Sequence, residues 1–139
     1  MVNAVANSTV PKFTVVVGNS YGAGNYAMCG KAYDPRLIVA WPTAKIAVMG
    51  GDQAAKVLQQ IEVSRLKKRG EKPDEATQKA LYDSIAKGYE EQTTPVYAAS
   101  RLWVDAIIDP ESTRHWLSTG IEAANHAPWA PFNPGVIQT

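Results

Sequence analysis

Residues 10–51 read VPKFTVVVGNSYGAGNYAMCGKAYDPRLIVAWPTAKIAVMGG, and they contain all three strands that the sequence predicts. Residues 13–17 are a continuous apolar run, which is typical of a strand buried on both faces of a sheet covered by helices. Residues 37–41 and 45–49 predict two further strands, since a proline stops the first and a glycine pair stops the second. The order strand, turn, helix, strand, strand predicts an α/β fold.

A glycine-punctuated turn separates the first two predicted strands. Gly22, Ala23 and Gly24 precede a stretch over 26–32 that is compatible with a helix. Small residues let the backbone approach a ligand, and the free N–H groups of a first helical turn carry partial positive charge. Such donors can hold a developing oxyanion, at about 3 kcal/mol each. The same glycines are equally compatible with a purely structural role in a tight turn.

Helices are predicted to dominate the chain after residue 51. Residues 52–61 predict an amphipathic helix, and the charged segment over 62–86 predicts a helical hairpin interrupted at 70–73. Its second helix has Asp74 as a plausible N-cap. Two further helices are expected over 96–103 and from Asp109 to about residue 124. The apolar face of the first helix is predicted to include Ala54, Ala55, Val57, Leu58 and Ile61.

Composition excludes several classes of function. The chain has 139 residues, 45% of them hydrophobic, and a formal charge of +1, which fits one compact domain over 1–139. The basic run over 65–69 is too local for a nucleic-acid footprint and indicates a solvated helix end. Cys29 is the one cysteine and is expected in the core, while His115 and His126 lack partners at metal-ligand spacing. No apolar stretch is long enough for a membrane, and a cytoplasmic location is expected.

Several long motifs resemble one enzyme family. They are SYGAGNYAMCGKAYDPR over 20–36, the Trp41-Pro42 pair, IAVMGG over 46–51 and YAASRLWVDAIIDP over 97–110. Together they resemble the carboxyltransferase beta subunits of biotin-dependent acyl-CoA carboxylases. GAGNY followed by MCG is similar to the methylcrotonyl-CoA and geranyl-CoA members. The resemblance covers nearly the whole chain and is weakest over 62–88 and in the final tail.

The resemblance implies a fold, a reaction and a site. It implies part of a crotonase-like fold, with a buried sheet, flanking helices and added C-terminal helices. It also implies transfer of a carboxyl group from carboxybiotin, borne by a partner carrier domain, to an acyl-CoA, with biotin rather than a side chain taking the substrate proton. By position in the motif, the backbone amides of Ala23 and Gly24 form an oxyanion hole facing biotin. Gly22 and Tyr26 are expected to line the substrate and biotin pocket, without a metal.

The resemblance also implies missing parts and partners. The family's subunit has two crotonase-like domains, so this chain is expected to be the C-terminal part of a carboxyltransferase domain and inactive alone. An N-terminal carboxyltransferase domain, a biotin carboxyl carrier and a homotrimer or homohexamer are the implied partners. Two alternatives stay open. The chain could be a non-enzymatic oligomerisation or interaction remnant of the fold, or a biotin-dependent acyl-CoA decarboxylase subunit.

Overall fold

A computed structural model of the chain describes residues 1–70, 74–128 and 131. Helices and strands alternate through its first part, and helices dominate the second. In chain order the first part contains α1 (Val2–Asn7), β1 (Phe13–Val16), β2 (Asn19–Tyr21), α2 (Gly22–Ala27), a 3-10 turn (Lys31–Tyr33), β3 (Leu37–Ala40) and β4 (Lys45–Ala47). The second contains α3 (Gly51–Lys68), α4 (Glu75–Gln92), α5 (Pro95–Ser100), β5 (Ala106–Ile107), a 3-10 turn (Pro110–Ser112) and α6 (Thr113–Asn125).

The strands form two parallel sheets. The larger has the order β1-β3-β5, with Phe13 opposite Leu37 and Val39 opposite Ala106. The smaller pairs β2 with β4. Parallel strands need long crossovers, and helices supply these connections here. The predicted α/β class, with helices added at the C-terminal end, is confirmed.

The core is centred on β3, the middle strand of the larger sheet. Ile38, Val39 and Ala40 are buried, because strands flank them on both sides. The prediction that 13–17 is buried on both faces was wrong in part. Only Val16 of that run is fully buried, since β1 is an edge strand of its sheet. The core cluster consists of Val16, Ile38, Ala40, Ala44, Ile46, Ala98 and Val104.

Helix α6 lies across the larger sheet at one close contact. A Cβ atom at Gly120 would come within 2.9 Å of the Phe13 ring, so only glycine lets the helix approach β1 this closely. At the other end of the contact, the indole Nε1 of Trp41 donates to the Thr113 hydroxyl at 3.0 Å. The C-terminal helix is therefore fixed to β1 and to the end of β3.

The hairpin of α3 and α4 is held by polar contacts. The Tyr82 hydroxyl donates to Asp52 at 2.8 Å, which raises the pKa of the Tyr82 phenol. The amide of Gln59 donates to the carbonyl of Gln78 at 3.0 Å. The predicted N-cap is confirmed, because the Asp74 carboxylate accepts the Thr77 N–H at 3.0 Å.

Some predicted elements differ from the observed ones. The helix expected over 26–32 begins at Gly22 and ends at Ala27, so the glycines lie inside its first turn. Cys29 is buried as expected but sits in a left-handed turn, with φ 62°, after that helix. The sequence predicts a short apolar link over 107–108, whereas residue 107 belongs to strand β5 and residue 108 follows it. The sequence also predicts an extended tail docked through Trp129 and Phe132, but these two residues lie outside the described residues.

The buried face predicted for α3 is confirmed only at its beginning. Ala54 and Ala55 are fully buried. Val57, Leu58 and Ile61 are exposed by 40%, 41% and 58%, so their assignment to a buried face was wrong. Helix α3 runs on to Lys68 and pairs mainly with α4, which leaves this side uncovered in the described part of the chain.

Candidate functional site

The strand-to-helix turn depends on glycine at position 22. Gly22 adopts φ 53°, in the left-handed region that L side chains rarely occupy. A Cβ atom there would also lie 2.9 Å from the backbone oxygen of Val48. Both facts require glycine, and together they bring the start of α2 against the chain that follows β4.

The first turn of α2 presents free backbone donors. Ala23 and Gly24 are exposed, and their N–H groups find no acceptor among residues 1–70, 74–128 and 131. Tyr21, the N-cap residue, makes no side-chain capping bond. The first N–H groups of a helix have no intrahelical acceptor and carry its positive partial charge. This turn can therefore donate to an anionic oxygen.

A cavity of about 350 Å³ opens next to this turn. Its walls are mostly apolar and come from α2, both sheets and the segment after α5. Gly22 and Tyr26 line it, whereas Ala23 and Gly24 do not, so the four predicted site residues divide between the cavity wall and the exposed turn beside it. The remaining lining residues are Asn25, Lys31, Ala32, Ile38, Ile46, Ala47, Val48 and Trp103.

Aromatic contacts fix two walls of the cavity. The Tyr26 ring meets Tyr33 edge to face, with centroids 6.0 Å apart and planes at 71°. On the other side, Trp103 meets Tyr97 in the same manner at 5.9 Å. Such pairs stabilise a ring position beyond the burial of its area. Two aromatic rings that line the cavity, Tyr26 and Trp103, are therefore held in orientation by a second aromatic ring each.

Asn25 makes hydrogen bonds that position the segment after α2. Its side-chain amide donates to the Ser20 hydroxyl at 2.8 Å, and its backbone oxygen accepts the Gly30 N–H at 2.8 Å. A Cβ atom at Gly30 would overlap the Asn25 side-chain oxygen. Only glycine at position 30 allows the backbone to approach Asn25 this closely. This close approach determines the position of the next residue, Lys31.

Lys31 contributes a positive charge to the cavity wall. Its Nζ lies 3.5 Å from Oδ1 of Asp105, and the two side chains are 49% and 40% exposed. The other carboxylate oxygen of Asp105 accepts the Ile38 N–H at 2.8 Å. The Asp105 N–H in turn donates to the Ile38 carbonyl at 2.8 Å. Asp105 thus ties the lysine to the start of β3.

The other candidate chemistry lies elsewhere. His115 and His126 are exposed on and after α6, and the described residues contain no group of three potential metal ligands. The basic run over 65–69 is exposed at the end of α3, as predicted. Among the described helices none is long and apolar enough to cross a bilayer.

Sequence reasoning missed three polar or aromatic residues of the cavity. Asn25 and Lys31 belong to the motif that carried the resemblance, but their side chains were given no role there. Trp103 stands in the second matching motif, far along the chain. Its place in the cavity follows from β5 pairing with β3, a contact that local patterns do not predict. The roles expected for Gly22, Ala23, Gly24 and Tyr26 remain predictions.

Comparisons with known proteins place the chain among carboxyltransferases. Residues 1–134 match the family described as "Carboxyl transferase domain". The biotin-dependent 3-methylcrotonyl-coenzyme A carboxylase beta1 subunit of Mycobacterium tuberculosis is 47% identical over 140 residues, covering 99% of this chain and 26% of that protein. The geranyl-CoA carboxylase beta subunit of P. aeruginosa superposes with a TM-score of 0.79 at 39% identity, covering 97% of this chain and 25% of that one.

The transcarboxylase 12S subunit is a third match. Its structure superposes with a TM-score of 0.75 at 31% identity over 99% of this chain and 24% of that one. It was solved as a hexamer assembly with methylmalonyl-coenzyme A bound. This chain spans about a quarter of the length of each of these proteins. The matches confirm the predicted crotonase-like fold and the resemblance on which it rested.

Proposed function

The chain belongs to the carboxyl transferase domain family, and from this premise we propose that it forms the biotin-facing part of an enzyme that moves a carboxyl group from carboxybiotin to an acyl-CoA. One observation carries the proposal. The exposed first turn of α2 presents the N–H groups of Ala23 and Gly24 without an acceptor in the described chain, beside an apolar cavity lined by Gly22 and Tyr26.

The chain's contribution to the reaction is electrostatic. Carboxybiotin, brought by a partner carrier, would supply the carboxyl group and take up the proton that the acyl-CoA carbon loses. Biotin then ends with a proton in place of the carboxyl group, and the acyl-CoA ends with a carboxyl group in place of the proton. Negative charge then develops on the ureido oxygen of biotin. In this proposal the Ala23 and Gly24 N–H groups donate to that oxygen. A preorganised donor of this kind contributes about 3 kcal/mol to a transition state.

The residues around the turn fit a biotin ring. The cavity of about 350 Å³ falls in the range of ordinary ligand pockets, which are mostly apolar with a few polar groups. Tyr26 would form the wall that limits the size of the ligand. A difference in a pocket wall is worth about 1–3 kcal/mol between related substrates. The particular acyl group is therefore set by shape, in part through Tyr26.

The rest of the active site would come from partners. The matched relatives are about four times as long as this chain. We propose that an N-terminal carboxyltransferase domain supplies the CoA site and that a biotin carboxyl carrier brings the donor. The isolated chain, a domain over 1–139, is then inactive with acyl-CoA. The cytoplasmic location stays part of this proposal.

The proposal is tested by removing one donor. Proline is tolerated in the first turn of a helix and lacks an N–H group, so Ala23→Pro deletes the proposed contact, whereas Ala23→Gly retains it. We expect biotin methyl ester to bind the 139-residue chain. Tryptophan fluorescence measures this binding, because Trp103 lines the cavity. Ala23→Pro should weaken binding about fivefold, as expected for the loss of one hydrogen bond to the neutral ureido carbonyl.

Two outcomes contradict the biotin-facing role. One is that biotin methyl ester does not bind the wild-type chain. The other is that Ala23→Pro binds as tightly as Ala23→Gly while far-UV circular dichroism shows both variants to be folded. A carboxylation assay with free biotin and acyl-CoA should show no turnover above the protein-free rate.

A second function is favoured by the uncovered side of α3. Val57, Leu58 and Ile61 expose apolar surface there, and Trp116 on α6 is also exposed. Such surface is typical of an interaction site, and β1 leaves one edge of its sheet unpaired among the described strands. We propose self-association as a trimer or hexamer. Defined assembly without biotin binding would favour a non-enzymatic module, and a monomer mass in sedimentation would contradict assembly.

A further inference from the structure

We propose that Lys31 recognises the carboxylate of a ligand whose apolar body occupies the cavity beside α2. The chemistry that fits is one carboxylate on a compact, mostly apolar group. Two sources share it: the carboxylated ring of a biotin donor and the carboxylated acyl group of the product. The assignment of the ligand to one of these rests on the proposed function, whereas the recognition of a carboxylate does not.

The composition of the cavity wall motivates the proposal. Its lining among the described residues contains aliphatic and aromatic side chains, the amide of Asn25 and the ammonium group of Lys31, with no acidic residue. Asn25 is already engaged, since its amide donates to Ser20. Lys31 is thus the charged group of the lining, and a cavity of this kind favours a ligand that is apolar on one side and anionic on the other.

The position of Lys31 is set by the fold on two sides. Its backbone follows Gly30, whose N–H is bonded to Asn25 and whose lack of a Cβ permits that approach. Its Nζ is held 3.5 Å from Asp105. Asp105 is itself bonded twice to Ile38, through its carboxylate and through its backbone N–H. An unattached surface lysine samples many rotamers, whereas this one is paired with a carboxylate that is itself bonded to the central strand.

Asp105 has opposing effects on an incoming anion. It positions the ammonium group, but its own charge repels a second carboxylate. Asp105 is absent from the cavity lining, and its second carboxylate oxygen is occupied by the Ile38 N–H. A ligand carboxylate in the cavity would therefore approach Lys31 on a side that Asp105 does not occupy. Because Lys31 is half exposed, the preference for an anion should be modest and should weaken as salt is added.

Two matched probe pairs test the proposal on the 139-residue chain. The first pair is 1′-N-carboxymethyl biotin methyl ester and its dimethyl ester, which differ in one charge. The second is the malonyl and acetyl thioesters of N-acetylcysteamine. Binding is followed by tryptophan fluorescence and by calorimetry. In at least one pair we expect the carboxylate to bind about fivefold more tightly, the size of effect typical of a half-exposed ion pair.

Variants separate charge from structure. Lys31→Met keeps the approximate length of the side chain and should abolish the preference for the carboxylate, measured as the ratio of the two affinities within one probe pair. Lys31→Arg should retain the preference. Asp105→Asn removes the competing charge and should raise carboxylate affinity if the lysine keeps its place. The preference of the wild-type chain for the carboxylate should decrease as the salt concentration is raised from 50 mM to 500 mM.

The outcomes distinguish this proposal from the proposed function. Retention of a carboxylate preference by Lys31→Met, or its absence from both pairs in the wild-type chain, overturns the role of Lys31. A Lys31-dependent preference in the biotin pair identifies the donor as the source, and one in the thioester pair identifies the product. If the thioester pair shows the preference while biotin methyl ester fails to bind, carboxylate recognition stands and the biotin-facing role fails.

Discussion

The strand region over 13–48 and the helical hairpin over 51–92 use apolar residues in opposite ways. In the strand region, apolar side chains of the central strand are fully buried, as at Ile38 and Val39. In the hairpin, Ala54 and Ala55 are buried, but three larger residues further along α3 are exposed. The first region supplies most of the hydrophobic core, together with Ala98 and Val104. The hairpin is held by polar contacts and a cap.

This difference shows which apolar residues are covered within the described part of the chain. The β3 strand has a strand on either side, so its apolar run is covered. The side of α3 that carries Val57, Leu58 and Ile61 has no cover from the described residues. Apolar exposure costs about 25 cal/mol per Å², so covering this side would stabilise an assembly. The hairpin is therefore the part from which the proposed partner contacts are expected.

The largest effect expected is on stability, and it comes from truncating isoleucine in each region. Ile38 is 2% exposed and Ile61 is 58% exposed. Ile38→Ala leaves a cavity in the core and should lower the free energy of unfolding by about 3 kcal/mol. Ile61→Ala should change it by about 0.5 kcal/mol or less. Urea unfolding followed by circular dichroism measures both.

The two isoleucine variants could also contradict this contrast between core and hairpin. Equal losses in the two variants would mean that Ile61 is covered in solution, by a second copy or by another part of the chain. Repeating the Ile61→Ala measurement over a range of protein concentrations distinguishes these. A loss that grows with concentration indicates cover by another copy, because association adds stability by mass action.

Two glycines of the same helical turn give the next largest effect. Gly22→Ala must hold φ 53° and brings a Cβ to 2.9 Å from the Val48 oxygen. It should cost about 2 kcal/mol, from the left-handed backbone and the contact together. Gly24→Ala is the matched control, since nothing lies within 4 Å of its Cβ. Alanine there should be neutral or stabilising, by at most about 1 kcal/mol.

A similar loss in both glycine variants would contradict this reading. It would indicate that the turn tolerates no side chain at either position, for instance because Gly24 is packed against a partner. Thermal unfolding of the wild type, Gly22→Ala and Gly24→Ala at one protein concentration decides between these results. A loss confined to Gly22→Ala would show that backbone geometry, as well as burial, determines the stability of the strand region.

The sequence predicted the parts of the fold that rest on local patterns. Strands β1, β3 and β4 and the Asp74 cap follow from apolar runs, prolines and capping residues, whereas β2 was predicted as part of the glycine turn. The strand β5 was missed, because two residues give no periodicity and its formation depends on pairing with β3. The exposed side of α3 was missed for the opposite reason. Its pattern predicts a buried face, but no described element packs there.

The candidate site was predictable only in part. The glycine spacing pointed to a close backbone approach, and Gly22 does adopt a conformation that needs glycine. The start of α2 was predicted four residues late, since Gly22 and Gly24 are poor helix formers and appear as a turn. Lys31 and Trp103 come together through a contact 67 residues apart in sequence, between Ile38 and Asp105. Such contacts are invisible to local patterns.

The smallest effect expected is a pH dependence at the start of α4. Hydrogen bonds from the side chain and backbone of Thr77 lower the pKa of Asp74 below its ordinary value of 3.8. Because this pKa is lower in the folded chain, the stabilisation by the cap is fully present above 3.8 and is lost as the pH falls through the folded pKa. Asp74 is exposed, so the change should remain local to the hairpin. The Thr77 amide resonance should report it, with a titration midpoint below 3.8.

Asp74→Asn keeps a capping acceptor without a charge and should remove the titration while preserving α4. A midpoint at or above 3.8 in the wild type would mean that the cap does not form in solution. The hairpin would then lack one of the polar contacts that hold it together in place of a hydrophobic core.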